Sequence, residues 1–231
     1  MSKVLVTGGT RGIGLAIVKH LRAAGYPVLS CARGEGADIR ADVTDPVQVL
    51  RLHREAGEID VLVNNAGGPI TAPFLKMTET EWDEQFRLNV KGAWYCIREF
   101  LPGMLERKNG RIINIASTAG KMGYKYISGY VASKHAVVGL TRALAHEVAA
   151  KGVTVNAVCP SYVETPMLHQ SVADVAAKSG RSPEDLLKVF RSHNPQGRFV
   201  TPEEVASTVR FLIETPAING QAISLCGGET P

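Results

Sequence analysis

Short apolar runs alternate along this chain with longer stretches in which apolar residues recur at helical spacing. Val4-Leu5-Val6 is the first run, and Ile13, Ile17, Leu21 and Ala24 follow at helical intervals until Gly25. A second run covers Val28–Cys31. Residues 34–41 then pass almost directly into a third near Asp38–Ala41, so the crossover helix expected between two such strands is trimmed. A helix is predicted over Pro46–Ala56 and a fourth strand over Ile59–Val63. Thr78-x-x-Glu81 is a capping box opening a long, kinked helical region that reaches about Lys108. The pattern next predicts a strand over 111–116, a helix over about 130–150 ended by Gly152, and a strand over Val153–Cys159. Residues 161–200 break the rhythm with Pro166, Pro183 and Pro195, and read as a lid over a site or an oligomer contact. Thr201-Pro202-Glu203-Glu204 opens another helix, with Pro at its first position, and Gln221–Cys226 is a last strand.

Composition narrows the function classes. With 231 residues, 45% of them apolar, the chain can bury one sizeable core; no repeat or linker divides it, so 1–231 reads as a single domain. Acids and bases are interspersed and the net charge is only +4, which gives little reason to expect nucleic-acid or membrane binding. No apolar run approaches the roughly 20 residues that span a bilayer. Met1-Ser2-Lys3 leads straight into strand-like residues without room for a signal peptide, which predicts a cytoplasmic chain. Cys31, Cys96, Cys159 and Cys226 are scattered without Cys-x-x-Cys spacing and read as reduced and buried; no metal site is predicted.

Candidate chemistry sits at the ends of the predicted strands. Thr7-Gly8-Gly9-Thr10-Arg11-Gly12-Ile13-Gly14 joins a strand to a helix, the context in which backbone approaches a pyrophosphate and helix amides meet its charge. The second strand ends in Ala32-Arg33, with no acid until Glu35. An acid there would hold ribose hydroxyls, whereas Arg33 and Arg11 suit a 2′-phosphate, so NADP is expected over NAD. Asn64-Asn65-Ala66-Gly67 ends the fourth strand with small residues against which a cofactor can press. Asn89 is an oddity inside a helix, where its side chain competes for backbone groups; it either carries no meaning or marks a site where the helix bulges to hold a water. Ser117 closes the fifth strand, and Tyr130 and Lys134 share one helix face. An ammonium near a phenol favours the phenolate, which would bring the Tyr pKa down from roughly 10 toward the working range. The three make a proton-transfer device for a carbonyl/alcohol pair.

Taken together, the Thr7–Gly14 turn, Asn64–Gly67, Ser117 with Tyr130-x-x-x-Lys134, and Pro160 with Thr165 resemble the short-chain dehydrogenase/reductase family along nearly the whole chain. The resemblance implies an α/β, doubly wound, Rossmann-like sheet of about seven parallel strands with helices on both faces. It implies Tyr130 as proton donor or acceptor and Lys134 on the nicotinamide ribose. Ser117 would hold the substrate oxygen, and Asn89 a water that relays protons. Cofactor contacts would come from Gly8, Thr10, Arg11, Gly12, Ile13, Gly14, Arg33, Asp42, Val43, Asn65, Ala66, Gly67, Pro160, Val163 and Thr165. Pro160-Ser161 departs from the family's usual Pro-Gly.

The phrases Val155–Pro160 and Val163–Met167 are similar to those of 3-oxoacyl and polyketide reductases. They imply NADP(H)-linked reduction of a 3-oxoacyl thioester on CoA or an acyl carrier, or of a similar ketone. Lys121, Lys125, Arg181 and Arg191 are either solvated lid charges or partners for a phosphopantetheine phosphate. Two other readings stay open. One is an NAD(H)-linked dehydrogenase of a hydroxyacyl-CoA or cyclic alcohol; the other is a silent dinucleotide sensor. Trp82, Phe86, Trp94, Ile97, Phe100 and Leu101 on one helix, and Val137, Val138, Leu140, Leu144 and Val148 on another, exceed what one sheet contact needs, which predicts a homo-oligomer, a tetramer by the family resemblance.

Overall fold

A computed structural model describes residues 1–230. Seven strands form one sheet in the order β3-β2-β1-β4-β5-β6-β7, and every neighbouring pair is parallel. They are β1 (Val4–Thr7), β2 (Val28–Ala32), β3 (Ile39–Arg40), β4 (Val61–Asn64), β5 (Gly110–Ile115), β6 (Val153–Pro160) and β7 (Ala222–Leu225). β1, β4 and β6 are buried along their whole length, which is why they read as continuous apolar runs rather than as alternation.

Successive side chains point to opposite faces and build two cores. Val4, Val6, Val61 and Val63 pack against Ile17 and Leu21 of α1 (Gly12–Ala23) and Val205, Val209 and Leu212 of α8 (Pro202–Glu214). On the other face Leu5, Leu62 and Ile112 meet α2 (Pro46–Ala56), α4 (Gly92–Glu106) and α5 (Ser128–Val148) through Leu52, Phe100 and Leu144. As expected, no helix separates β2 from β3. Both predicted capping boxes form, at Thr78 with Glu81 and at Thr201 with Glu204.

The long helical region resolves into α3 (Glu79–Phe86), a five-residue π turn over Arg87–Lys91, and α4. The expected bulge therefore lies at Asn89, whose amide reaches out of the helix. After β6, α6 (Pro166–Ser179) and α7 (Pro183–Ser192) fold as a pair with their own small core of Leu168, Val172, Leu186 and Phe199. The pair is pinned at its root, where Glu164 N donates to Val200 O (2.9 Å) and Val200 N to Tyr162 O (3.0 Å).

One packing expectation needs correction. Ile97, Phe100, Val137, Val138, Leu144 and Val148 are buried within this chain, because α4 packs on the sheet and α2, and α5 on the sheet and α3. The second apolar side narrows to Trp82 and Trp94, which are 37% and 43% exposed, with Phe86, Leu101 and Leu140 half-buried. All four cysteines are free and buried. Among the described residues no helix is long and apolar enough to cross a membrane, and no cluster of ligating side chains could hold a metal ion.

Candidate active site

The carboxyl ends of β1, β4, β5 and β6 lie along one edge of the sheet, where the strand order reverses between β1 and β4. Thr7 stitches that crevice. Its Oγ1 accepts from Asn65 N (3.0 Å) and Ala66 N (3.1 Å), while Asn65 Nδ2 donates to Thr7 O (2.9 Å) and Gly8 O (3.1 Å). The glycine turn is packed so closely that a Cβ on Gly14 would lie 2.1 Å from Gly8 O and 2.5 Å from Asn65 Nδ2. Gly12 places its backbone beside Thr165.

The turn opens α1 without closing its end. Five helices (α2, α3, α6, α7, α8) carry a side-chain cap, from Asp45, Thr78, Thr165, Ser182 and Thr201. The α1 terminus has none from Arg11, which is exposed, and α5 has none from Ile127. Uncapped first-turn amides beside a turn whose Gly8, Gly9 and Gly14 leave no room for a Cβ fit a bound pyrophosphate. At the crevice's far side Arg33 is exposed, with Nη1 3.9 Å from the Asp42 carboxylate. Asp38 is the acid nearest β2 in space, and the sequence reading missed it. It accepts from Ser30 N and Oγ and from Arg22, an arrangement that holds its carboxyl below the usual range despite partial burial. All three bonds fall on Oδ2. Arg40, paired with Ala32 across the strands, donates to Arg33 O and adds a second cation there.

Ser117, Tyr130 and Lys134 come together as anticipated. Ser117 leaves β5 in extended backbone; its Oγ accepts from Ala119 N (3.1 Å), and its hydroxyl donates toward the Tyr130 oxygen. Lys134 is 5% exposed, donates from Nζ to Ile115 O at 2.8 Å, and lies 5.6 Å from the Tyr130 ring centroid. Asn89 is buried. Its Oδ1 accepts from Gly68 N (3.0 Å), and its Nδ2 donates to Gly68 O (3.2 Å) and Ser133 Oγ (3.2 Å). Ser133 Oγ in turn donates to Tyr130 O (2.8 Å). Gln85, one turn before Asn89, was not singled out from the sequence; wholly buried, it clamps the same loop through Gly68 O and Ile70 N, both at 2.6 Å.

The electrostatics run against one expectation. Burial pushes the Tyr130 hydroxyl up to about 12, and the Ser117 hydrogen bond offsets only part of that. Burial also brings the Lys134 ammonium down to about 8. The ammonium points at a carbonyl rather than at the phenol, so desolvation of the phenolate outweighs its attraction. Pro160, Val163 and Thr165 line the end of β6: Val163 is buried, and Thr165 Oγ1 accepts from Leu168 N to cap α6. Asp42 Oδ1 is occupied by Thr44, and Val43 is buried in the core against Gly92.

The family profile described as short chain dehydrogenase matches residues 2–176. The acetoacetyl-CoA reductase of Rhizobium meliloti is 40% identical, over 99% of each chain. A 3-oxoacyl-(acyl-carrier-protein) reductase of Staphylococcus aureus is 36% identical, over 97% of this chain and 96% of its own. Among solved structures, an actinorhodin polyketide ketoreductase with NADPH superimposes with a TM-score of 0.92 at 38% identity, covering 99% of this chain and 97% of that one.

The buried lysine generates a stability prediction. Its folded pKa of about 8 lies below its usual 10.5, so between those values the unfolded chain binds more protons and stability rises with pH. Below pH 8 the charge costs roughly 2–4 kcal/mol. Without cofactor, Lys134→Met should therefore gain stability over wild type at neutral pH, and the gain should shrink between pH 8 and 10.5. Urea melts across that range check it, and a difference that does not vary with pH refutes it.

Proposed function

This chain belongs to the short chain dehydrogenase family, and we propose that it reduces the ketone of a 3-oxoacyl thioester, or a similar ketone, with NADPH. It is an NAD(P)-dependent oxidoreductase acting on CH–OH groups. The observation that carries the proposal is the convergence of Ser117, Tyr130 and Lys134 beside an uncapped helix terminus and a glycine turn. The names of the two reductase relatives support the thioester.

The dinucleotide, when bound, supplies the hydride. Gly8, Thr10, Arg11, Gly12, Ile13 and Gly14 would hold its phosphates, and Asn65, Ala66 and Gly67 would press against it from β4. Asp42 and Val43 would flank the adenine. Pro160, Val163 and Thr165 would sit at the nicotinamide. Ser117 donates a hydrogen bond to the ketone oxygen and orients it. Tyr130, kept protonated by its burial, gives that oxygen its proton. The Lys134 ammonium favours the phenolate left behind and would bind ribose hydroxyls. Asn89 holds the loop over Gly67-Gly68 against α5 through Gly68 and Ser133. We propose that α6 and α7 act as the substrate lid, that residues 1–231 work as one domain, and that the protein acts in the cytoplasm.

Turnover is tested with a panel of ketones and alcohols, following nicotinamide absorbance. Wild type should reduce a 3-oxoacyl thioester, while Tyr130→Phe should lose nearly all activity yet bind NADPH as before. Absence of turnover with every carbonyl and alcohol would favour a silent dinucleotide sensor.

NADP is proposed over NAD because Arg33 and Arg40 put two cations at the end of β2, while Asp38 Oδ2 is bonded to Ser30 and Arg22. Arg33→Ala should weaken NADPH by about 1–3 kcal/mol and spare NADH. Equal losses, measured by fluorescence titration, contradict the assignment and favour an NAD-linked dehydrogenase.

A homo-oligomer, proposed as a tetramer, would cover Trp82 and Trp94. Light scattering at micromolar concentration should give a multiple of 24.8 kDa, and a mass equal to one chain overturns the proposal.

A further inference from the structure

The C-terminal tail carries an acid that none of the site residues above accounts for. After β7 the chain turns through Gly227 (φ +61°) and Gly228 (φ +101°), and the turn carries Glu229 inward until its side chain is only 5% exposed. A Cβ on Gly227 would lie 1.9 Å from Asn194 Oδ1, so glycine is required for the tail to lie against the end of the lid. Both carboxylate oxygens of Glu229 are used. Oε1 is 2.7 Å from the Tyr124 hydroxyl and 3.4 Å from His193 Nδ1, and Oε2 accepts from Ser161 Oγ.

These partners come from three segments around the proposed ketone site. Tyr124 lies between β5 and α5, and its hydroxyl is also 2.6 Å from Thr118 Oγ1. A carboxylate only accepts, so Tyr124 donates to Glu229 and Thr118 donates to Tyr124. Thr118 follows Ser117 directly and is buried. Ser161 follows Pro160 at the end of β6, in place of the family's usual Gly, and its hydroxyl supplies a bond that a Gly has no atoms to make. His193 ends α7, with its ring 5.6 Å from those of Tyr124 and Tyr162. Tyr162 stacks on Phe190 of α7 at 4.7 Å. A second arm holds the same tail: Lys121 Nζ donates to Ser224 Oγ (2.7 Å), which meets Thr230 Oγ1 (2.9 Å).

We infer that Glu229 is a positioning residue that locks the Ser117–Thr118 turn to the end of the lid through Tyr124, Ser161 and His193. The inference deepens the ketoreductase reading and rests on it for its kinetic arm alone. The carboxylate touches neither the substrate oxygen nor Tyr130; it acts by fixing the backbone that presents the Ser117 hydroxyl and by seating the last turn of α7. Gln keeps an acceptor for Tyr124 and a group that bonds Ser161, so Glu229→Gln should preserve most of the lock, while Glu229→Ala removes it.

The test combines kinetics with hydrogen exchange. Glu229→Ala should lower kcat/KM for the ketone by about 10- to 100-fold, the range spanned by a charge-assisted hydrogen bond, with NADPH affinity changed less than about twofold. Glu229→Gln should recover most of the loss. In a double-mutant cycle, the effect of Glu229→Ala should largely vanish in a Tyr124→Phe background. In the same variant, amides over 118–124 and 189–196 should both exchange about tenfold faster, whether or not the wild type turns over any substrate. Additive losses in the cycle, or unchanged exchange in both segments, overturn the lock. Absent wild-type turnover with faster exchange in both segments supports the lock while removing the ketoreductase reading.

Discussion

A parallel sheet must re-enter each strand from the same end, so every connection crosses a face and all carboxyl ends fall on one edge. All six pairings here are parallel, and the rest of the molecule follows from that constraint. One edge receives Thr7, Asn64, Ile115 and Pro160, each followed by a loop that carries proposed site residues. The opposite edge carries plain turns such as Gly57 and Gly152. Reversal of strand order at β1 parts neighbouring crossovers and leaves a crevice, and the Thr7 and Asn65 bonds stop it from opening further.

The polar side chains beneath this edge form a connected interior. Asn64 Nδ2 donates to Asn114 Oδ1, Asn114 Nδ2 to Thr141 Oγ1, and Thr141 Oγ1 to Val137 O, which ties β4, β5 and α5 by directional contacts inside an apolar core. Gln85 and Asn89 do the same for the loop after β4. Asn64 Oδ1 is buried without a hydrogen-bond partner, but the paired groups of the chain admit one arrangement where apolar packing admits several. These bonds underlie the crevice, whereas α6 and α7 keep a separate small core of their own.

The sequence made the elements and their caps legible because apolar period and cap chemistry are local. Asn89 was legible as a misfit, and a π turn sits there. Gln85 was not, since a glutamine in an amphipathic helix looks like a solvated residue until the loop that it clamps is known. Asp38 escaped because its role depends on a short loop bringing it back to Ser30 within its own neighbourhood of the sheet. The apolar breadth of α4 and α5 was read as an interface; a helix wedged between a sheet and another helix buries more than one stripe. Glu229 lies in a tail with no periodicity, and only the fold places it beside Tyr124, 105 positions earlier.

Tyr130 shows where reading by residue type misleads. Tyr-x-x-x-Lys suggests a phenol lowered by an ammonium, yet without a cofactor burial governs both groups and moves them apart in the reverse sense, the phenol to about 12 and the ammonium to about 8. That ordering has a direction. In the proposed reduction Tyr130 begins protonated, which suits a donor, and the phenolate it becomes is the stronger base of the pair. The same burial makes the Lys134 amine a weaker base than a free lysine, so of the two groups the phenolate has the stronger claim on a proton. The oxidative direction needs the opposite, a phenolate at the outset, which burial disfavours. Desolvated without a counter-charge, the Tyr130 phenol holds its proton more tightly than a free tyrosine, and the Lys134 ammonium holds its own less tightly than a free lysine.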